Sequence, residues 1–96
     1  MYNVYAIRDS KADTYCIPFH LATDGLARRA LCDLVNEERS TIHAYPEDFA
    51  LYCLATWDEL SGEYMSFAPR HICNAVDFVN FPARDDESAV MGDSVL

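Results

Sequence analysis

The chain has 96 residues, a net charge of −9 and an isoelectric point near 4.4, and 51% of its residues are hydrophobic. That is one domain's length of chain, apolar enough to build a core, which excludes whole-chain disorder. No apolar run approaches the roughly 20 residues of a membrane span, no basic-then-apolar leader opens the chain, and the acidity argues against a protein that coats nucleic acid by charge alone.

Residues 2–9 read as a strand, with Tyr2, Val4 and Ala6 on one face and Asn3, Tyr5 and Ile7 on the other. A polar turn over 9–13 leads to a second extended stretch, 14–20, where Pro18 cannot donate to a ladder and marks an edge or a bend. Thr23 or Asp24 caps a helix predicted to run to Glu38. Leu26, Ala27, Ala30, Leu31, Leu34 and Val35 draw its apolar stripe. A proline-led helical turn is expected over 46–49, then a strand over 50–57 with Leu51, Cys53 and Ala55 opposite Tyr52, Leu54 and Thr56. Gly62 closes a turn over 58–62, and a further strand over 63–68 is expected to stop at Pro69. Residues 71–79 are ambiguous between strand and helix, and the spacing of Ile72, Ala75, Val76 and Val79 leans to helix. The expectation is an α+β fold: about four antiparallel strands with one long helix on one face, in the order β-β-α-β-β-(α). Residues 1–81 form the single domain and 82–96 an acidic, flexible tail. A sheet this small with an open edge invites a homodimer.

The charge is uneven. Residues 1–39 carry a net −1 and residues 40–96 a net −8, so the N-terminal part holds most of the cations.

The four cysteines, Cys16, Cys32, Cys53 and Cys73, lie 16, 21 and 20 residues apart, which matches no zinc spacing. Cys16, His20, His71 and Cys73 can be drawn as a metal site, but core thiols in a reducing compartment explain the pattern better. Three glycines cannot make a phosphate loop. There is no H-E-x-x-H and no G-x-S-x-G, and the paired acids Glu47-Asp48 and Asp58-Glu59 are explained by turns and caps. The expectation is no enzyme, no metal and no cofactor. Aromatics stand out instead: Tyr2, Tyr5, Tyr15, Phe19, Tyr52, Trp57, Tyr64 and Phe67 all fall on predicted strands or at their ends. Some fill the core; any left on the opposite sheet face near Arg8 and Lys11 would offer bases a stacking surface.

The segments YAIRDSKADTY, PF, DLVN, YPEDFALYCLATWDELSGEY and PRHICNAV, in that order, resemble the small nonstructural protein of gokushoviruses. These are tailless single-stranded DNA bacteriophages of the Microviridae. The family pattern Y-x-I-R-D-x-K falls on residues 5–11, D-x-V-N on 33–36, and the P-E-D-F/Y-x-L hairpin ending in glycine on 46–62. Ala55 stands where glycine is common in the family. The resemblance covers roughly residues 2–78 and brings no catalytic residues with it.

It implies a nonstructural protein, outside the virion and in the host bacterial cytoplasm, that assists the passage from duplex replication to single-strand synthesis. Contact with single-stranded DNA would then use Arg8, Lys11, Arg28 and Arg29, with Tyr5 or Tyr15 stacking on bases. Two alternatives stand beside it. An acidic interaction module would bind a phage replication or assembly protein, or a host factor, through Glu47, Asp48, Asp58 and Glu59. A DNA mimic would line up carboxylates in place of phosphates.

Overall fold

The computed structural model describes residues 1–79, and the tail expected over 82–96 lies outside them. Two central antiparallel strands, β1 (Tyr2–Asp9) and β4 (Phe49–Trp57), pair along their whole length. β5 (Tyr64–Asn74) flanks β4. The other edge consists of two short pieces, β2 (Thr14–Tyr15) and β3 (Phe19–Leu21), both paired with β1. The fold is α+β, with all neighbouring strands antiparallel in the order β2/β3, β1, β4, β5.

Local chemistry sets these boundaries. The β1–β2 turn is held by the Asp9 carboxylate, which accepts from the backbone N–H groups of Lys11 and Ala12, and Asp13 takes a positive φ of 59°. Beyond Tyr15 the Cys16 N–H still reaches the Ile7 carbonyl at 2.7 Å, but Pro18 has no N–H to offer. The strand therefore breaks there and resumes at Phe19. At the β4–β5 turn Gly62 takes φ 78°, a conformation that suits glycine, and the Asp58 carboxylate accepts from Leu60 N–H.

Helix α1 (Asp24–Val35) starts where expected, its first turn capped by the Thr23 hydroxyl, which accepts from Leu26 N–H at 3.2 Å. It spans 12 residues and stops at Val35, short of Glu38. The Asn36 side chain takes the Cys32 carbonyl, and the chain then makes a four-residue helix, α2 (Thr41–Ala44), capped by Ser40. A proline-led 3₁₀ turn, Pro46–Asp48, delivers it into β4. The buried stripe of α1 is narrower than the periodicity suggests: Ala27, Leu31, Cys32 and Val35 are buried, whereas Leu26 and Leu34 are exposed.

The largest departure from the sequence pattern is in β5. It does not stop at Pro69 but continues to Asn74, and only Ala75–Phe78 forms a 3₁₀ turn, closed by reciprocal Asn74 and Asp77 capping bonds. Proline is tolerated because it sits on the outermost strand inside a bulge. Cys53 pairs with Arg70 and Ala55 with Ser66, so Leu54 alone opposes residues 67–69. The β1–β4 register also slips at Leu54, between Val4 and Tyr5. Both sheet edges thus carry a proline, Pro18 and Pro69, which blunts the edge pairing expected of a homodimer.

The core lies between one sheet face and α1. Tyr5, Ile7, Leu51, Cys53 and Cys73 meet Ala27, Leu31 and Val35, with Ile42, Phe49, Ile72 and Ala75 closing the ends.

Candidate functional site

Helix α1 covers one face of the sheet, and among the described residues no helix lies on the other face, whose composition is unusual. Cross-strand partners share a face, which places Tyr2 with Trp57, Val4 with Ala55 and His20, and Ala6 with Tyr52. On the outer strands Tyr15 faces Arg8, Tyr64 faces Trp57 and His71 faces Tyr52.

The rings gather in two groups. At one end His20 packs edge-on to Trp57 and Tyr64 at 5.6 and 5.7 Å between centroids, and Tyr2 lies 6.0 Å from Trp57. The His20 Nε2 and the Tyr64 hydroxyl are hydrogen-bonded at 2.8 Å. At the other end Tyr52 meets Tyr15 at 5.7 Å and His71 at 5.3 Å, and the Arg8 guanidinium covers the Tyr15 ring at 5.4 Å. His71 Nε2–H donates to the Asn74 side-chain oxygen at 2.8 Å, which fixes that ring. Val4, Ala6 and Ala55 form a low floor between the groups.

Several rings remain in contact with solvent. Tyr2 and Tyr15 are 38% and 37% exposed and Tyr64 57%, whereas a core tyrosine such as Tyr5 is at 0%.

The electrostatics of this face are equally particular. Asp9 is the only acidic residue in any of the five strands, and its place opposite Phe49 puts it on the helix side. The other carboxylates among the described residues sit in turns, loops and helices around the sheet. Asp13 lies in the β1–β2 turn, where it pairs with Arg8. Glu47 and Asp48 precede β4 and Asp58 and Glu59 follow it, roughly 30 Å apart along that strand. These four therefore do not form one patch. Asp58 is held by its own turn, which keeps its carboxyl below the usual range, and Glu59 pairs with the N-terminal amine at 2.6 Å. Among the described residues no acidic stripe of the kind a DNA mimic needs crosses a sheet face.

The six residues expected to touch DNA separate. Arg8 and Tyr15 lie together on the ring-bearing face. Lys11 sits in the adjacent turn. Arg28 and Arg29 stand on α1, on the far side of the sheet, and the Arg28 guanidinium reaches the Ile72 carbonyl at 3.5 Å.

Tyr5 is a correction. It is fully buried and cannot stack on a base. Its hydroxyl donates to the Asp24 carboxylate at 2.6 Å and accepts from the Asn3 amide at 2.9 Å. Burial, reinforced by the hydrogen bond to Asp24, pushes this phenol up to about 12. Asp24 also pairs with Arg70 at 3.1 Å, so β1, α1 and β5 share one polar knot.

His20 and His71 belong to the ring-bearing face although no local spacing singles them out. Trp57 and Tyr52 are five residues apart, which strand alternation assigns to opposite faces; the bulge at Leu54 brings them to the same one. Among the described residues no three His, Cys, Asp or Glu side chains gather as a metal site. Cys16 is exposed, while Cys73 belongs to the core on the opposite side of β5 from His71. No helix among the described residues is long and apolar enough to cross a membrane.

The model of a family described as Phage ORF5 protein matches residues 2–78. No curated protein and no solved structure matches the chain.

Proposed function

The chain belongs to the phage ORF5 protein family, and from that premise we propose that it is a nonstructural replication accessory that contacts single-stranded DNA with the uncovered face of its sheet. The phages concerned are the single-stranded DNA Microviridae that its motifs resemble, and it acts in the host cytoplasm, outside the particle. The observation that carries the reading is the face itself: exposed rings on a rigid sheet, a cation above one of them, and no carboxylate at any strand position beneath. Every base has a π-face, so such a surface stacks bases with little regard to sequence, and alanine substitutions at such sites cost about 1–3 kcal/mol per base.

The net charge of −9 fits this arrangement once its distribution is considered. Acids gathered in the turns repel a strand that strays off the face, while the face holds Arg8 and two imidazoles. Few cations means few phosphates neutralised, so the affinity is moderate and depends on stacking. The test is fluorescence anisotropy of a labelled oligothymidylate titrated with the protein at low and high salt. Binding that weakens with salt, and weakens more on losing Tyr52 and Trp57, is expected. No binding at low salt would overturn the reading.

A further inference from the structure

Where the Tyr15–Tyr52–His71 group ends, the face opens into a pocket of about 340 Å³ lined by Arg8, Ser10, Glu47, Asp48, Tyr52 and Asn74 among others. Its walls are fixed from several directions. The Ser10 N–H donates to the Asp48 carbonyl at 2.9 Å, and the Asp48 N–H to the Tyr45 carbonyl at 3.0 Å, which ties the β1–β2 turn to the proline-led turn before β4. Asn74 is held by His71 and by its own capping box. The carboxylates of Glu47 and Asp48 have no hydrogen-bond or ion-pair partner among the described residues.

We propose that this pocket reads one base of the bound strand, and that the base is guanine. The proposal rests on the DNA-contact reading above and adds a sequence preference to it. Two unpaired carboxylates beside an aromatic wall repel a phosphate, so the pocket takes an uncharged planar group rich in donors. Among the bases, guanine alone presents adjacent donors, N1–H and the N2 amine, which one carboxylate accepts together. Its O6 and N7 acceptors lie along the adjoining edge, where the Arg8 guanidinium, which Asp13 also pairs, lines the pocket and suits them. Adenine and cytosine each set an acceptor nitrogen beside their amine, and thymine flanks its single N–H with two carbonyls, so each brings lone pairs against a carboxylate. The ring of Tyr52 supplies the stacking partner, as in other single-strand readers where an unstacked base is held by an aromatic ring and read along its edge.

The experiment uses the full chain and labelled 15-mers of oligothymidylate, one unmodified and the others with a single central dG, dA, dC or deoxyinosine. The dG strand is expected to bind about tenfold more tightly than the others. Deoxyinosine lacks only the N2 amine and should lose most of that gain, which needs no protein variant. In the double variant Glu47→Gln, Asp48→Asn the dG preference should vanish while the all-thymidine strand binds as before or more tightly. Equal affinity for dG, deoxyinosine and thymidine strands, all of them binding, would overturn the pocket and leave the sheet-face reading standing. Failure of every strand to bind would overturn the sheet-face reading and the pocket with it.

Discussion

The two faces of this sheet are built from the same strands and nearly the same residue types, yet they solve opposite problems. On the helix side Tyr5 is fully buried, its hydroxyl occupied by Asp24 and Asn3, among Leu31, Leu51 and Cys53. On the other side Tyr2, Tyr15 and Tyr64 stand in solvent over a floor of Val4, Ala6 and Ala55. A tyrosine's role here is decided by strand parity and by which face α1 covers. Ring content alone says nothing about it. A core must satisfy every polar atom it buries, so its one deep tyrosine sits in a closed network. A platform for bases, the role proposed for the other face, must leave its π-faces open.

The sharpest break between the faces is expected from Leu51→Ala. Leu51 is fully buried under α1, and its truncation should cost about 2–5 kcal/mol, the range for large-to-small core changes. Thermal or urea unfolding would show it, and any DNA contact should be retained by the fraction still folded. Next comes the opposite experiment, Tyr52→Ala with Trp57→Ala. Both rings are only half-buried and lie on the face opposite α1, so the single-strand affinity of the folded protein should fall at least tenfold, about 1–3 kcal/mol per stacked base. Affinity that survives both truncations would mean the rings serve some other purpose.

How much of this contrast was legible in the sequence can be judged from particular residues. The helix start, its cap, β1 and its alternation, and the β4–β5 turn all follow from local rules, because Thr23, Gly62 and the period-two pattern act within a few residues. Alternation also separates Tyr2 from Tyr5, but nothing local says which set the helix will cover. Tyr5 is therefore as plausible a stacking residue as Tyr15 until tertiary packing decides. The bulge at Leu54 is worse, because it depends on three strands at once: it reverses the parity of Ala55 and Trp57, and it lets β5 run on through Pro69. Proline reads locally as a stop, and only an edge position with a bulge makes it tolerable. His20 and His71 join the face through pairings made across the sheet, 16 and 19 residues from their strand partners Val4 and Tyr52. Such pairings leave no mark in the local pattern.

A smaller effect separates the two kinds of tyrosine by a single atom. Tyr5→Phe keeps the ring in the core and removes the hydroxyl that Asp24 and Asn3 share, and should cost about 1 kcal/mol. Tyr15→Phe, on the exposed face, has no comparable bond to lose and should change stability little. The wild-type hydroxyl also carries a pH signature. The folded phenol is pushed up to about 12, above the ordinary value of 10.0, so its stabilising contribution is complete below pH 10 and lost as pH rises toward 12. Tyr5→Phe should therefore be less sensitive than the wild type to unfolding in that window.

The smallest effect comes from the other end of the same knot. Hydrogen bonding to Arg70, and next to Tyr5, holds the Asp24 carboxyl below its ordinary value of 3.8. A carboxyl with a lowered folded pKa contributes stability above its unfolded pKa and loses it as pH falls through the folded value. Wild type should thus exceed Asp24→Asn in stability at neutral pH, and the gap should start to narrow near pH 4 and go on narrowing as pH falls further. The pair lies at the surface, with 51% of the Arg70 side chain and 36% of that of Asp24 exposed, so solvent screening limits the ion-pair share to about 0.2–1 kcal/mol. Urea titrations of both proteins in steps from pH 7 down to pH 2 would measure the gap. High salt should narrow it at pH 7, and a gap that stays the same all the way down the pH series would mean that Asp24 acts through packing. Because the knot joins β1, α1 and β5 on the helix side, Asp24→Asn should leave single-strand affinity at neutral pH unchanged. A variant that weakened both would show that the two faces are coupled through β1, whose alternate residues serve each of them.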